Sequence, residues 1–448
     1  MVTIIDKEAQ LGGNSAKASS GMNGAGTEAQ KELGIRDSVD QFVEDTLSSG
    51  DGLSRRKLVE TLARESSEAH RWLKSLGLGL TDVVQLGGHS TQRTHRFPHS
   101  AEGKPQPVGW TLISSLRKII ETDLKDSVRV HTKSAFQELI MEGRRAVGLK
   151  YSDEAGTTHS LFGTVVLAAG GYANDHQDRS LLDRFTPELA KLPTTNGPFA
   201  TGDVIKALLQ QDLGAQTTLM DKVQIHPTGF LEVKQPNFHT KFLAPEALRG
   251  CGAILLCGGK RFANELGRRD YLTKEVFEHC TPLQGNPEFP IAAAMLLTQE
   301  AVDKYGASSM GFYKFKGLVE DVETLENAAT KMGVDAAVLR QTLAEYNRSA
   351  EKGVDEFGKT VFPVRFPEDA HFYLAFTTPT LHYCMGGLAI NEHAEVLRED
   401  DVPIPGLFGA GEVTGGVHGN NRLGGNSLLE CVVFGRLAGR HAAGSRDP

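Results

Sequence analysis

The 448-residue sequence has no run of about 18 apolar residues, and its mean hydropathy is −0.27. A transmembrane helix needs about 20 predominantly apolar residues, so the sequence predicts a protein without a membrane span. Basic residues are also few, with 48 Lys and Arg against 56 Asp and Glu and a net charge of −8. Nucleic-acid-binding domains usually carry a concentrated basic face. The charge balance therefore argues against a nucleic-acid partner, and an anionic ligand would need local cations.

Cysteine is scarce, and its five positions form no CxxC pair and no zinc-type spacing with histidine. Such pairs mark structural zinc sites and many redox motifs, so we expect no metal centre. Because the number is odd and the spacing irregular, we expect free, buried thiols and a reducing compartment. Haem-attachment motifs and iron–sulfur cysteine sets are missing too, so a redox reaction would need a diffusible electron donor or a partner protein.

Glycine, by contrast, is abundant, with 49 residues, about 11% of the chain against an average near 7%. Most glycines gather beside short apolar runs, where a missing side chain lets the backbone approach a flat or phosphorylated ligand closely. Tight turns alone would explain one or two clusters, but the sequence has six. They lie at residues 12–13, 21–26, 170–171, 386–387, 409–416 and 419–425.

The apolar patterning predicts an α/β fold. Strand patterns lie at residues 2–5, 128–131, 146–151 and 164–168, and helical patterns at 28–33, 54–76, 203–211 and 427–442. Residues 222–383 carry fewer glycines and more helical pattern, notably at 323–351. The sequence therefore predicts a discontinuous Rossmann-like nucleotide-binding domain, residues 1–221 and 384–448, with an inserted, mainly helical domain at residues 222–383.

Four basic residues in turn-rich segments are candidates for anion binding: Arg422, Arg269, His226 and His382. Arg422 lies in a glycine-rich loop that leads into a helix, whose N-terminus exposes unpaired N–H groups. Each histidine, taken alone, could equally be a core residue or a ligand. Two Arg and two His in one cleft would suit a small dicarboxylate, because guanidinium groups bind carboxylates through two parallel hydrogen bonds.

Glu246 and Arg249 are three residues apart and share one face if their segment is helical. One interpretation is a plain surface ion pair. Their place in the chain between His226 and Arg269 also allows a proton relay. The spacing leaves both interpretations open.

Many short segments occur together in a characteristic order. They are Ile5-Asp6-Lys7, Gly12-Gly13-Asn14-Ser15, Ser19-Ser20-Gly21-Met22-Asn23, Ala168-Ala169-Gly170-Gly171, Thr201-Gly202-Asp203, His226-Pro227-Thr228-Gly229, Arg261-Phe262-Ala263-Asn264-Glu265, Arg269-Asp270, His382-Tyr383, Met385-Gly386-Gly387, Gly409-Ala410-Gly411-Glu412 and Asn421-Arg422-Leu423-Gly424-Gly425-Asn426-Ser427. Across nearly the whole chain the sequence resembles the soluble fumarate reductase group of the succinate dehydrogenase/fumarate reductase flavoproteins. Each segment is weak by itself, but the shared order is specific.

The resemblance implies FAD as the cofactor, in an FAD-binding domain with an inserted capping (clamp) domain. The FAD would be noncovalent, because relatives that attach it covalently have a histidine where this chain has Asn14. Asp6 would hold the adenosine ribose, and further residues would complete the cofactor site. The implied cofactor residues are Asp6, Gly13, Asn14, Ser15, Ser20, Gly21, Asp203, Glu412, Ser427 and Leu428.

The resemblance also implies reduction of fumarate to succinate. Reduced flavin N5 would deliver a hydride, and Arg269 would donate a proton that reaches it through Glu246 and Arg249. The carboxylates would be held by four residues, His226, His382, Arg422 and Gly425. The electrons would come from a diffusible donor such as NADH or reduced flavin.

One departure from the family concerns the start of the chain. Members open with a strand, a GxGxxG turn and a helix that receive the FAD pyrophosphate, whereas no GxGxxG precedes Asp6 here. We therefore expect an N-terminally truncated FAD-binding domain, either an incomplete product or a short form that binds FAD poorly. A non-catalytic remnant and a related flavin reductase of another unsaturated acid remain as alternatives. The compartment is expected to be cytoplasmic or mitochondrial.

Overall fold

The computed structural model of the chain describes residues 1–100 and 106–444. Its buried apolar side chains form two separate cores. One core draws on residues 22–223 and again on residues 381–438, and the other draws on residues 230–375. We call the parts of the chain around these cores the first lobe and the second lobe. The first lobe is thus built from two pieces of chain that flank the second.

The strands combine parallel and antiparallel pairing. In chain order they are β1 (Val2–Ile5), β2 (Met22–Asn23), β3 (Asp82–Val84), β4 (Thr94–Arg96), β5 (Val128–His131), β6 (Ala135–Glu142), β7 (Arg145–Ser152), β8 (Thr158–Phe162), β9 (Val165–Leu167), β10 (Thr217–Thr218), β11 (Val223–Phe230), β12 (Ile254–Cys257), β13 (Lys260–Arg261), β14 (Thr281–Pro282), β15 (Ile291–Thr298), β16 (Glu320–Glu323), β17 (Phe372–Cys384), β18 (Gly387–Ala389), β19 (Glu395–Leu397), β20 (Pro403–Gly409) and β21 (Thr414–Gly415).

The helices lie in both lobes. In chain order they are α1 (Glu28–Glu32), α2 (Val39–Ser49), α3 (Arg56–Ser75), α4 (Val108–Thr122), α5 (Leu181–Phe185), α6 (Asp203–Gln210), α7 (Glu246–Gly250), α8 (Arg269–His279), α9 (Gln299–Tyr305), α10 (Ala307–Phe315), α11 (Leu325–Met332), α12 (Ala336–Lys352) and α13 (Asn426–Gly444). Among the residues that the structure describes, no helix has both the length and the apolar composition needed to cross a bilayer.

The α/β fold predicted from the sequence is confirmed. In the first lobe, β1 pairs in parallel with β5, and β9 pairs in parallel with β20. Within residues 1–100 and 106–444, β1 has no second neighbouring strand and β9 has none on its other side. Both strands therefore keep one open edge, and both contribute residues to the cavity described below.

The amphipathic helix expected at residues 54–76 is α3. Leu58, Leu62, Ala69 and Leu73 are buried at helical spacing and pack into the first core. The helix ends just before Gly77, whose φ of 79° lies in the left-handed region that favours glycine.

The second lobe holds a seven-stranded sheet as well as the expected helices. Its main path runs β11-β17-β15-β12-β13, with β14 beside β15 and β16 beside β17. The longest strand, β17, is buried along nearly its whole length on both faces. A strand buried on both faces shows no alternation of apolar and polar residues, which explains why the sequence pattern did not reveal this sheet.

The cysteine prediction is wrong for two of the five residues. Cys257 at the end of β12 and Cys280 at the end of α8 form a disulfide, with Cα atoms 5.2 Å apart. The other three, Cys251, Cys384 and Cys431, are free thiols. The two cysteines are 23 positions apart and meet only because the sheet packs against the helix, so no short spacing motif predicted the disulfide.

Candidate active site

A single cavity of about 2610 Å³ is lined by both open-edged strands and by the glycine-rich loops. The walls include residues 1–6 around β1 and residues 165–171 around β9. The start of α13 also lines it, where a helix N-terminus leaves backbone N–H groups free for an anionic ligand. The cavity thus has the volume, the small side chains and the donor groups that a dinucleotide requires.

All ten residues predicted to hold the cofactor line this cavity. They are Asp6, Gly13, Asn14, Ser15, Ser20, Gly21, Asp203, Glu412, Ser427 and Leu428. They come from six separate segments that only the fold brings together. They therefore face one shared space.

Two glycines in the wall have no room for a side chain. A Cβ at Gly171 would lie 2.6 Å from Oε1 of Glu412, and one at Gly411 would lie 3.0 Å from Sγ of Cys431. Gly411 also has a φ of 74°. Glycine is therefore required at both points to keep the wall thin and close to whatever occupies the cleft.

Side chains across the cofactor part of the cavity are already tied to one another. Nζ of Lys7, the residue after Asp6, lies 2.5 Å from Oδ2 of Asp203 and neutralises this carboxylate. The amide of Asn14 donates to Oδ1 of Asn196 at 2.5 Å and accepts from the backbone N–H of Gly197 at 3.1 Å. These bonds fix the loop before the cavity is filled.

Glu412 is a buried carboxyl in the cavity wall. Burial raises its pKa to about 7, although the backbone N–H of Cys384 donates to Oε1 at 2.9 Å and opposes the shift. The Arg422 guanidinium also lowers the pKa, but less than burial raises it. Glu412 is therefore a group that changes charge near neutral pH.

The pairing of β11 with β17 places the two histidines side by side. Gln224 pairs with Tyr383 and Ile225 pairs with Leu381, so His382 is the extra residue of a β-bulge. The ring centroids of His226 and His382 lie 5.2 Å apart. A bulge redirects side chains, which is how residues 156 positions apart (382 − 226) reach one site.

Both histidines are held neutral. Burial lowers the pKa of each well below its usual value, and the positive charge of Arg269 lowers it further. Nδ1 of His382 lies 2.7 Å from Oγ1 of Thr195. Nδ1 of His226 accepts a hydrogen bond from the backbone N–H of Thr228 at 3.2 Å, so the proton of the neutral ring lies on Nε2. That Nε2 is buried and has no hydrogen-bond partner among the described residues.

Arg422 is buried over the ring of Tyr383, with its guanidinium carbon 4.3 Å from the ring centroid. Its Nη1 donates to the backbone carbonyl of Leu423 at 3.2 Å, while its Nε has no partner within the described part of the chain. Burial, followed by repulsion from Arg269, lowers its pKa to about 10. Arg422 is thus a charged group with unused hydrogen-bond donors, as expected of a residue that binds an anion.

Arg269, which is buried, and Glu246, which is partly exposed, form an ion pair at the start of two helices. Nε of Arg269 lies 2.5 Å from Oε1 of Glu246, and Nη1 of Arg269 donates to Oε1 of Gln224 at 2.7 Å. Burial acts to raise the pKa of Glu246, but Arg269 and Arg249 together lower it to about 2. Glu246 is therefore a carboxylate at neutral pH.

Arg249 lies on the same short helix as Glu246 and is almost completely buried. Its Nη1 donates to the backbone carbonyl of Glu265 at 2.6 Å. Burial is also the main cause of the lowered pKa of Arg249. The surface ion pair considered from the sequence is wrong, because Arg249 is buried and donates to the backbone of Glu265 instead.

Four of the seven residues predicted to act on substrate line the same cavity as the cofactor residues: Arg269, His382, Arg422 and Gly425. The other three, His226, Glu246 and Arg249, lie outside that lining and contact or adjoin the first group. The loop that carries Gly424 and Gly425 passes close by. A Cβ on Gly424 would lie 3.6 Å from Oε2 of Glu246.

Two functional neighbours were not proposed from the sequence. Gln224 links the two arginine segments, because its Oε1 accepts from Arg269 and its Nε2 donates to the backbone carbonyl of Arg422 at 3.1 Å. Thr195 contacts His382. An amide or a hydroxyl has no characteristic spacing, although Gln224 does lie two residues before His226 in a segment that the sequence singled out.

A glycine-walled α/β cleft with buried arginines in its wall is typical of an enzyme that binds a dinucleotide, and the family and relatives below identify an oxidoreductase. The chain belongs to the FAD binding domain family, whose sequence pattern matches residues 1–428. The cofactor of this enzyme is therefore FAD.

Three known proteins illustrate the similarity. "Fumarate reductase" of Schizosaccharomyces pombe is 39% identical over 451 residues, which cover 99% of this chain and 84% of that protein. "Fumarate reductase 1" of Saccharomyces cerevisiae is 39% identical over 460 residues, 99% of this chain and 94% of that protein. The open conformation of a flavocytochrome c3 fumarate reductase superposes with a TM-score of 0.80 at 32% identity, covering 100% of this chain and 74% of that one.

Proposed function

We propose that this enzyme reduces fumarate to succinate. The observation that carries the proposal is the buried cluster of Arg269, His382 and Arg422 in the wall of the cavity that holds the cofactor residues. A buried arginine with free donors beside two histidines suits a carboxylate ligand, because a guanidinium can bind a carboxylate through two parallel hydrogen bonds. The names of the similar proteins support the same substrate.

We propose that Arg422 and His382 bind the carboxylates from the wall and that Gly425 lines the same end of the pocket. Arg422 keeps its charge at neutral pH because its pKa of about 10 lies well above that range. His226 is the innermost contact in this proposal. Its buried Nε2–H would cost free energy if it never met an acceptor, and a substrate carboxylate would supply one.

We propose Arg269 as the proton donor. Its Nε and Nη1 are occupied by Glu246 and Gln224, whereas Nη2 makes no hydrogen bond within the described residues. Arginine rarely loses its proton, with a pKa above about 12. A relay overcomes this difficulty: as Arg269 gives its proton to the substrate, the Glu246 carboxylate takes a proton from Arg249 and passes it to Arg269, and solvent then returns a proton to Arg249. Arg249, one helical turn away, would supply Glu246.

When bound, FAD supplies the hydride, from N5 of its reduced ring. We propose that the ten cofactor residues in the cavity wall hold it without a covalent bond, because Asn14 offers an amide that forms no such link. In the same proposal, residues 1–221 and 384–448 form the FAD-binding domain and residues 222–383 the capping domain. The two separate hydrophobic cores support this division.

Dye-linked turnover tests the proposal. The purified, yellow protein is expected to oxidise a reduced viologen dye only when fumarate is added. H382Q and R422M are expected to raise KM for fumarate and weaken succinate binding, because each removes a carboxylate contact. R348M is the matched control, since Arg348 is exposed and pairs only loosely with Glu345, at 3.9 Å. A wild type without fumarate-dependent turnover would refute the function.

The electron donor is a separate part of the proposal. We propose a diffusible carrier such as NADH or a reduced flavin, because no haem-attachment or iron–sulfur cysteine motif occurs in the sequence. Replacing the dye by each carrier in turn, at equal reducing equivalents, identifies which one sustains fumarate reduction.

A further inference from the structure

We propose that Glu265 is a positioning residue for proton delivery: its clamped side chain fixes its own backbone carbonyl, which in turn holds Arg249. The inference rests on the proposed function, because it concerns the route by which Arg269 regains its proton. It gives a role to a buried cluster of charged side chains around Glu265, which contacts the proposed relay at Arg249.

Two cations hold the side chain of Glu265. Arg261 donates from Nε to Oε1 at 2.7 Å and from Nη2 to Oε2 at 2.9 Å, which makes a bidentate pair. Lys359 donates from Nζ to Oε2 at 2.7 Å. The carboxylate and the ammonium are both fully buried. With three hydrogen bonds to one carboxylate, Glu265 has little freedom to rotate.

The two cations are themselves fixed. Nη1 of Arg261 donates to Oδ2 of Asp355 at 2.8 Å, and Oδ1 of Asp355 accepts from the backbone N–H of Lys359 at 2.8 Å. The Arg261 guanidinium also lies over the ring of Tyr346, 5.1 Å from its centroid. The cluster is therefore closed, and each charge has a partner.

The cluster reaches the proposed relay through one bond. The backbone carbonyl of Glu265 accepts from Nη1 of Arg249 at 2.6 Å, while Nε of Arg249 has no partner in the described part of the chain. Arg249 therefore depends on Glu265 for its orientation. Four residues further along, Arg269 begins α8, so the same short segment positions both arginines.

A purely structural role explains this arrangement less well. Buried ion pairs pay a large desolvation cost, and apolar residues of similar size often stabilise a protein as well or better. What apolar residues cannot do is hold a backbone carbonyl at a set point through directional bonds. The geometry therefore favours a positioning role, in which a small misplacement of Arg249 slows proton delivery.

The test compares two variants as FAD-loaded enzymes, with rates expressed per bound FAD. E265Q keeps the size of the side chain and weakens the hydrogen bonds from both cations, Arg261 and Lys359. We expect kcat to fall roughly 10-fold to 100-fold, KM for fumarate to stay within about twofold, and the solvent deuterium isotope effect on kcat to rise. K359M removes a single bond and is expected to change the same quantities in the same direction by less. It also serves if E265Q does not fold.

E154Q is the control, because it breaks an exposed ion pair with Lys133 in the first lobe, whereas the proposed relay residues belong to the second lobe. A merely structural role would reduce the yield of folded protein but leave the isotope effect and the pH profile of kcat unchanged. An isotope effect equal to wild type in both variants would overturn the inference. A wild type that does not reduce fumarate would overturn the proposed function, whereas an active wild type matched by its variants would overturn this inference alone.

Discussion

Nε of Arg269 lies 2.5 Å from Oε1 of Glu246, and this bond joins the first residues of two helices in the second lobe. The bond brings together a cation that is buried and a carboxylate that is largely shielded, with 17% of its side chain exposed. Removing one partner would leave an uncompensated charge. The pair thus combines a stabilising contact with the proposed proton transfer.

Replacing Glu246 by Gln is expected to stop proton return to Arg269 without removing a carboxylate contact. We expect kcat for fumarate to fall by about 100-fold to 10,000-fold, with KM within about threefold of wild type. Steady-state dye oxidation per bound FAD measures both. A kcat within about twofold of wild type would contradict the proposed role of Glu246.

Gly425 should tolerate no side chain. Its φ is 84°, and a Cβ would lie 2.2 Å from Oδ1 of Asn23, whose Nδ2 donates to the backbone carbonyl of Gly424 at 2.8 Å. We expect Gly425→Ala to lower the free energy of unfolding by about 2 kcal/mol or more and to raise KM for fumarate. Denaturant melting and steady-state kinetics measure these changes.

The matched control for that change is Gly34→Ala. Gly34 also has a positive φ, 68°, but no atom lies within 4 Å of its Cβ position. Only the backbone strain of about 1 kcal/mol is expected there. If the two variants lose equal stability and neither changes KM, the predicted clash with Asn23 is wrong.

Stability should fall as the pH is lowered from neutral, because three buried histidines are neutral in the fold. Burial lowers the pKa of His70 to about 3 and those of His89 and His95 to about 4. Unfolding restores the ordinary pKa near 6.5, so the unfolded chain binds more protons below that pH. The stabilisation is complete above about pH 6.5 and is lost towards pH 4.

Thermal melting over this pH range checks the effect, which should approach 1.4 kcal/mol per pH unit for each histidine. His89→Gln is the informative variant, because His89 contacts the backbone carbonyl of Gly424 from a buried position. It should reduce the pH slope by the share of one histidine, at most about 1.4 kcal/mol per pH unit. A slope equal to that of wild type would show that His89 does not titrate as described.

Bound FAD is expected to raise the melting temperature and to be released on denaturation. At a free concentration 100 times the Kd, a ligand that binds only the folded state adds about 2.7 kcal/mol of stability. Acid precipitation followed by absorbance of the supernatant shows whether the flavin is noncovalent. Yellow colour that stays with the precipitate would contradict noncovalent binding.

Local sequence patterns predicted the features that are determined by residues close together in the chain. The amphipathic period of α3 and the long final helix α13 follow from their own side chains. The glycine clusters predicted a thin-walled cleft, because glycine affects the backbone wherever it occurs. The order of the short motifs indicated the family.

The sequence did not indicate the sheet of the second lobe or the link between Cys257 and Cys280. Strands buried on both faces have no alternating pattern, and β17 is such a strand. The disulfide depends on how a strand end meets a helix end. Both features arise from packing between elements, which local patterns do not encode.

The amino-acid sequence by itself determined which basic and acidic groups this protein carries and that glycines surround them. Only the tertiary structure decided that His226 and His382 meet through a bulge between β11 and β17 and that Arg269 pairs with Glu246. The reason is physical: a register shift of one residue turns a side chain to the other face of a sheet. Such a shift depends on how the whole lobe packs, and this packing involves residues that are far apart in the sequence.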